Sequence, residues 1–143
     1  MAIYDNILLT VDLHLNHDEY TTERAVALAK AMNANLTVLH VYEEIHTYGT
    51  VKPEKVMQVE KELTQQARVA LSDLLSGYNI DENQVILAMG NPKEVIIEQA
   101  QKIGADLIIV GGHTHHGLTG MLGRTASAVI ERATCDVLAI HAH

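Results

Sequence analysis

The sequence predicts an α/β domain, a single open sheet of five mostly parallel strands with helices packed on both faces. Three observations predict this class. Short runs of branched aliphatic residues alternate with longer segments of helical periodicity, the most apolar run carries no polar residue, and the 143 residues include no Phe or Trp. Sheets buried between two helix layers have this aliphatic composition. We expect residues 1–143 to form one domain.

The first two strands and helices occupy the amino-terminal half of the chain. Residues 7–11 form an apolar run that ends before Asp12, and residues 36–41 repeat the pattern, which predicts two buried strands. Apolar residues at helical spacing after each strand predict two amphipathic helices. They are Ala25, Leu28, Ala29 and Met32 in the first helix, and Val56, Val59, Leu63, Ala67, Ala70 and Leu74 in the second, which Gly77 would terminate. Residues 43–53 form a long irregular stretch of the kind that often acts as a lid.

The third strand and helix have clear boundaries. Residues 85–89 predict the strand. Asn91 and Pro92 predict the start of the helix, since Asn caps a helix N-terminus and Pro suits the first helical position. Gly104 predicts its end.

The fourth strand is the most apolar segment of the chain. Residues 107–110 carry no polar side chain, as expected for a central strand, and they run directly into Gly111 and Gly112. The next segment has apolar residues on one side at helical spacing, which predicts a last helix. Residues 137–140 predict a fifth strand. The apolar face of that helix comprises Leu122, Ala126, Val129, Ile130 and Ala133.

Charge and cysteine content exclude several classes of protein. Ten basic residues against eighteen acidic ones give a formal charge of −8, so binding along a nucleic-acid backbone is not expected. Cys135 is the single cysteine, which fits a reducing compartment. The sequence has neither a secretory signal pattern nor a run of about 20 apolar residues, so we expect a cytoplasmic protein without a membrane partner.

The ends of three predicted strands indicate where a ligand would bind. The first, second and fourth strands end at Asp12, Val41 and Gly111. In an open α/β sheet, ligands bind beyond the carboxyl ends of the strands, where the strand order reverses. Asp12 either contacts a ligand at this edge or caps a turn. The paired glycines either admit a ligand close to the backbone or permit a tight turn.

Two motifs carry a resemblance to a known family. Val11-Asp12 follows the first strand, and after the fourth the chain reads Gly111-Gly112-His113-Thr114, then eight residues, then Gly123-Arg124. Nucleotide-binding universal stress proteins have Val-Asp after the first strand. After the fourth they have Gly, two residues, Gly, eight or nine residues, then Gly with Ser or Thr. The sequence resembles this family along its whole length.

The resemblance implies a site for an adenine nucleotide, ATP or AMP, with Mg²⁺ accompanying ATP. It implies that Asp12 contacts the ribose and that the backbone at Val41 frames the adenine. The phosphates would lie against backbone N–H groups of the glycine loop and of the start of the last helix, where the helix dipole favours an anion. The implied site residues are Thr10, Val11, Asp12, Val41, Val110, Gly111, His113, Thr114, Gly123, Arg124 and Thr125. The resemblance also implies the strand order 3-2-1-4-5.

Two positions depart from the family pattern. Thr114 replaces the second glycine, so a Cβ stands where a phosphate would approach the backbone. Arg124 replaces the hydroxyl residue and either supplies a charged fork to phosphate or fills the pocket itself. For Gly123, close packing of the last helix is an alternative to ligand contact.

Metal binding and catalysis find little support in the sequence. A loop with His113, His115 and His116 has no fixed facing geometry, even with two further histidines at positions 141 and 143, so we expect no metal site. Cys135 is interpreted as a packing residue. Without a nucleophile paired with a base, the chain is not expected to be an enzyme, and slow ATP hydrolysis would be incidental.

The fifth strand predicts a partner. Residues from Val137 to Ile140 would leave an apolar sheet edge unless a loop or another chain covers it. The resemblance implies a homodimer formed through this strand. We therefore expect a stress-response dimer with a nucleotide site, the alternative being one that acts through protein contacts without nucleotide.

Overall fold

The described chain alternates strands and helices from end to end. The computed structural model describes residues 3–13, 17–43, 52–112 and 123–141. The strands are β1 (Asn6–Val11), β2 (Asn35–Tyr42), β3 (Val85–Met89), β4 (Leu107–Gly111) and β5 (Asp136–Ile140). The helices are α1 (His17–Met32), α2 (Pro53–Leu75), α3 (Pro92–Ile103) and α4 (Arg124–Arg132), with a 3₁₀ turn at Glu82–Gln84. Most of residues 43–53 lie outside the described ranges.

The five strands form one open sheet in the order β3-β2-β1-β4-β5. Each of its four strand pairings is parallel. β1 is central, with Leu9 opposite Val38 of β2 on one side and opposite Ile109 of β4 on the other. The predicted fold class and strand order are confirmed, and the sheet is parallel throughout rather than mostly parallel.

Alternation along β1 separates two hydrophobic cores. Ile7, Leu9 and Val11 lie in a core completed by α1 and α2, whereas Leu8 lies in a core completed by α3 and α4. Successive strand side chains point to opposite faces, so a strand buried on both faces contributes to both cores. The helices therefore cover both faces, as predicted.

Local signals at α3 are confirmed. Asn91 is the N-cap, and its side chain accepts a hydrogen bond from the Lys93 backbone N–H, while Pro92 occupies the first turn. The helix ends at Gly104, whose φ of 70° lies in the left-handed region that glycine adopts without strain.

The apolar face predicted for α2 is only partly correct. Leu71 and Leu75 are its buried residues, whereas Val59 and Leu63 are 37% and 46% exposed. A helix of 23 residues is about 35 Å long, while strands of five to eight residues extend about 17 to 27 Å. We infer that α2 outreaches the sheet, so its first half has little to pack against.

No helix within the four described ranges is long and apolar enough to cross a bilayer.

Candidate functional site

The strand order reverses between β1 and β4. From β1 the chain proceeds through α1 to β2, and after β3 it returns through α3 to β4 on the other side of β1. Thr10, Val11 and Asp12 lie at the carboxyl end of β1, and Val110 and Gly111 at the carboxyl end of β4. The crevice between these two strand ends is the candidate ligand site of such a sheet.

Hydrogen bonds join the strand ends around the crevice. The Thr10 hydroxyl donates to the Ile109 carbonyl oxygen of β4 over 3.4 Å. The backbone N–H of buried Gly112 donates to the Ile140 carbonyl oxygen over 2.7 Å, which ties the start of the glycine loop to β5. The predicted residues Thr10 and Gly111 are therefore held on neighbouring strands.

His113 and Thr114 lie outside the described residues, as do His115 and His116.

On the other side of β1, His40 fixes the strand end that carries Asp12. Val41 is half-buried and packs against the core formed with α3 and α4. Its neighbour His40 is only 8% exposed, and its Nδ1 lies 2.8 Å from the carbonyl oxygen of Val11. Because that carbonyl can only accept, Nδ1 carries the proton and donates it. Sequence reasoning missed His40, although a histidine inside an apolar strand was a visible signal.

Asp18, in the first turn of α1, is a second acidic residue at this edge that sequence reasoning missed. It is 6% exposed, and its Oδ1 accepts a hydrogen bond from the Asp12 backbone N–H over 3.4 Å. Burial first, and then the negative charge of Asp12, raise the pKa of Asp18 from 3.8 to about 7. A buried carboxyl beside a second carboxyl favours its neutral form.

The N-terminus of α4 contributes the remaining predicted residues. Gly123 is the N-cap and has no side chain to cap the helix, Arg124 is exposed in the first turn, and Thr125 is half-buried. Because α4 connects the carboxyl end of β4 to β5, its N-terminus faces the same sheet edge as the crevice. Its first N–H groups and helix dipole can stabilise an anion there.

A cavity of about 300 Å³ lies at the other end of the strands from the crevice, near the amino-terminal ends of β4 and β5. It is lined by residues that include Ile97, Ala100, Ile108 and Cys135. Burial raises the pKa of the Cys135 thiol, whereas a nucleophilic cysteine needs a lowered pKa. Cys135 packs against the core formed with α3 and α4, which agrees with its interpretation as a packing residue.

Within the described part of the chain, no group of three or more His, Cys, Asp or Glu side chains is arranged to hold a metal ion.

The architecture and the crevice define an open, doubly wound α/β domain with its candidate site at the β1/β4 switch point. The family model described as the universal stress protein family matches residues 3–141. The chain belongs to the universal stress protein family.

Two curated relatives come from Coxiella burnetii. Universal stress protein A homolog 2 is 36% identical over 141 residues, covering 98% of this chain and 97% of the relative. Universal stress protein A homolog 1 is 36% identical over 139 residues, covering 96% of each.

Solved structures share the fold. The universal stress protein UspA from Lactobacillus plantarum superposes with a TM-score of 0.81 at 24% identity, over 100% of both chains. A universal stress protein in complex with cAMP superposes with a TM-score of 0.61 at 22% identity, over 96% of this chain and 97% of its own.

Proposed function

We propose that this stress-response protein binds an adenine nucleotide, ATP or AMP, in the crevice between β1 and β4. The observation that carries the proposal is the adjacency of two strand ends at the switch point, one followed by Asp12 and the other ending at Gly111. A carboxylate can accept hydrogen bonds from ribose hydroxyls, and glycine backbone can approach phosphate closely. The fold neighbour in complex with cAMP, itself an adenine nucleotide, supports the choice of ligand.

The nucleotide would extend across the edge of the sheet. The ribose would meet Asp12, the adenine would lie against the backbone at Val41, and the phosphates would lie along the glycine loop towards Gly123 and Thr125. We propose binding without catalysis as the role of this site, with Mg²⁺ accompanying ATP. We retain the cytoplasmic location predicted from the sequence.

Isothermal titration of ATP and AMP, with and without Mg²⁺, into the purified protein tests this function. Asp12→Ala should weaken binding roughly tenfold to a hundredfold, because one charge-assisted hydrogen bond contributes about 1.5 to 3 kcal/mol. The matched control is Asp73→Ala, which removes an exposed carboxylate from α2. If the wild type binds neither nucleotide, the proposal fails and the protein acts through protein contacts.

We propose further that Arg124 contacts the phosphates. Its guanidinium is exposed in the first turn of α4, where it can reach an anion held at the helix N-terminus. Arg124→Ala should weaken ATP binding by about tenfold or more and leave adenosine binding unchanged. Arg132→Ala, at the other end of the same helix, is the control. An equal loss for ATP and adenosine would contradict a phosphate contact.

We also propose a homodimer in which β5 pairs with β5 of a second copy. In the described sheet β5 is an edge strand that pairs with β4, and Leu138 is 39% exposed on it. An apolar edge strand presents backbone groups that a second strand can pair. The proposed interface comprises the edge-strand residues from Val137 to Ile140.

Light scattering after size exclusion measures this assembly. The wild type should have twice the 15.7 kDa mass of one chain. Leu138→Lys should yield monomers, because it places a charge on the paired edge. Leu63→Lys, a substitution of a comparably exposed leucine on α2, should remain dimeric. A monomeric wild type, or a Leu138→Lys dimer, would rule out this interface.

A further inference from the structure

Asp12 and Leu13, which directly follow β1, lie beside the carboxyl group of Asp18. The Asp12 backbone N–H donates to Asp18 Oδ1 over 3.4 Å, and the backbone of Leu13 forms a further hydrogen bond with the same side chain. Leu13 itself adopts φ 61°, a left-handed conformation that costs a residue with a Cβ about 1 to 2 kcal/mol. A strained turn that converges on one buried carboxyl indicates that Asp18 sets the conformation of Asp12.

The second oxygen of Asp18 indicates a shared proton. Oδ2 is buried and finds no hydrogen-bond donor among the described residues. The backbone N–H of Asp12 bonds to the other oxygen of the same carboxyl group, so the two acidic residues are neighbours. Two ionised carboxylates only accept hydrogen bonds, so a bond between their side chains requires a proton on one of them. A proton on Asp18 Oδ2 satisfies the buried oxygen and removes the repulsion between the two carboxyl groups.

We propose that Asp18 is a positioning residue of the nucleotide crevice, and that its protonated carboxyl holds Asp12 in the orientation that a ribose hydroxyl meets. Asp12 then offers a carboxyl oxygen that accepts a hydrogen bond from that hydroxyl. Loss of the Asp18 proton makes the two groups repel and turns Asp12 away from the crevice. Nucleotide affinity is therefore linked to one proton. This inference rests on the proposed function and adds a regulator to the same site.

The surroundings of Asp18 support Asp12 as its proton partner. Every residue of β4, which packs against α1, is aliphatic or glycine. The charges of Glu19 and Glu23 of α1 affect Tyr78 rather than Asp18. Burial first, and then these two carboxylates, raise the pKa of Tyr78. From β2, His40 bonds to the carbonyl end of β1.

The test compares AMP affinity at pH 6 and pH 8 in the wild type and in Asp18→Asn. The asparagine amide donates to Asp12 and accepts from the turn at every pH, so it imitates the protonated acid without titrating. Between pH 6 and pH 8 the protonated fraction of Asp18 in the wild type should fall from about nine-tenths to about one-tenth. The apparent affinity for AMP falls with that fraction. The ratio of wild-type to Asp18→Asn dissociation constants should therefore rise about tenfold. Titration of AMP itself affects both proteins equally and cancels from this ratio.

Two further variants separate positioning from folding. Asp18→Leu should weaken binding at both pH values, because leucine fills a similar volume but its side chain forms no hydrogen bond. Asp18→Asn keeps those bonds and should retain most of the affinity, a difference that a role in filling space alone would not predict. Asp73→Asn, which replaces an exposed carboxylate of α2, is the control. The ratio of wild-type to Asp73→Asn dissociation constants should be the same at pH 6 and at pH 8. Thermal melting of each variant confirms that it is folded.

Carboxyl ¹³C NMR of the nucleotide-free protein provides an independent measurement. We expect Asp18 to titrate near neutral pH, and to titrate lower in Asp12→Asn because the neighbouring charge is gone. If AMP binds but the ratio of wild-type to Asp18→Asn dissociation constants is the same at pH 6 and pH 8, this inference is overturned and the proposed function stands. Absence of AMP binding in every protein would overturn both. Titration of Asp18 below pH 5 would overturn the shared proton regardless of nucleotide.

Discussion

Replacing Asp18 with asparagine should change how the stability of the protein depends on pH. Burial and the charge of Asp12 raise the pKa of Asp18 from 3.8 to about 7, so the folded state binds the proton more tightly than the unfolded chain. This contribution to stability is complete below about pH 4, where both states are protonated. It is lost progressively as the pH rises to about 7. The Asp18→Asn variant has no titrating group at this position, so its stability does not fall in this way.

The magnitude follows from the size of the shift. One pKa unit corresponds to about 1.4 kcal/mol, so a shift of about three units gives at most about 4 kcal/mol. Asp12 shares the proton, which reduces the effect carried by Asp18 alone. We expect the free energy of unfolding of Asp18→Asn, relative to that of the wild type, to increase by about 2 to 4 kcal/mol between pH 4.5 and pH 8.

Urea unfolding in half-unit pH steps measures this difference. The slopes of the transitions should match, so that midpoints report stability. Asp73→Asn serves as the control, because its carboxyl group is exposed and the difference from wild type should stay constant. A constant difference for Asp18→Asn would show that Asp18 is ionised in the folded protein at neutral pH, which refutes the reasoning.

Two further predictions use matched pairs of variants. Leu9→Ala should lower the free energy of unfolding by about 2 to 5 kcal/mol because Leu9 is fully buried, whereas Leu63→Ala, at 46% exposure, should cost well under half as much in the same urea assay. Gly90→Ala should lower the melting temperature more than Gly77→Ala. Both glycines have positive φ, but only at Gly90 does a new Cβ meet a valine methyl group of α3, at 2.7 Å. Equal losses in either pair would contradict the packing described.

Local sequence patterns predicted the secondary structure well because each pattern is local. The alternation of apolar runs and helical periods located all five strands, and Asn91, Pro92 and Gly104 marked the ends of α3. The strand order came from family resemblance instead, since hydrophobic periodicity does not say which strands are neighbours. The exposed half of α2 was missed for a similar reason, because periodicity identifies an apolar face but not how far the sheet beneath it extends.

The candidate site was predictable only in part. Asp12 and Gly111 follow apolar runs, so the switch-point rule locates them from the sequence. Asp18 and His40 were missed because their roles depend on burial and on partners contributed by other segments of the chain. In the sequence, Asp18 is one more polar residue before a helix. Its pKa arises from tertiary structure.

Uneven burial along α2 gives one helix two different local stabilities. Its first half exposes Met57, Val59 and Leu63, while its last turns bury Leu71 and Leu75. Backbone amides in a segment with few buried contacts open without global unfolding, so hydrogen exchange should be fast near Pro53 and slow towards Leu75. Fraying of this helix would begin at its amino end and stop where Leu71 and Leu75 are buried.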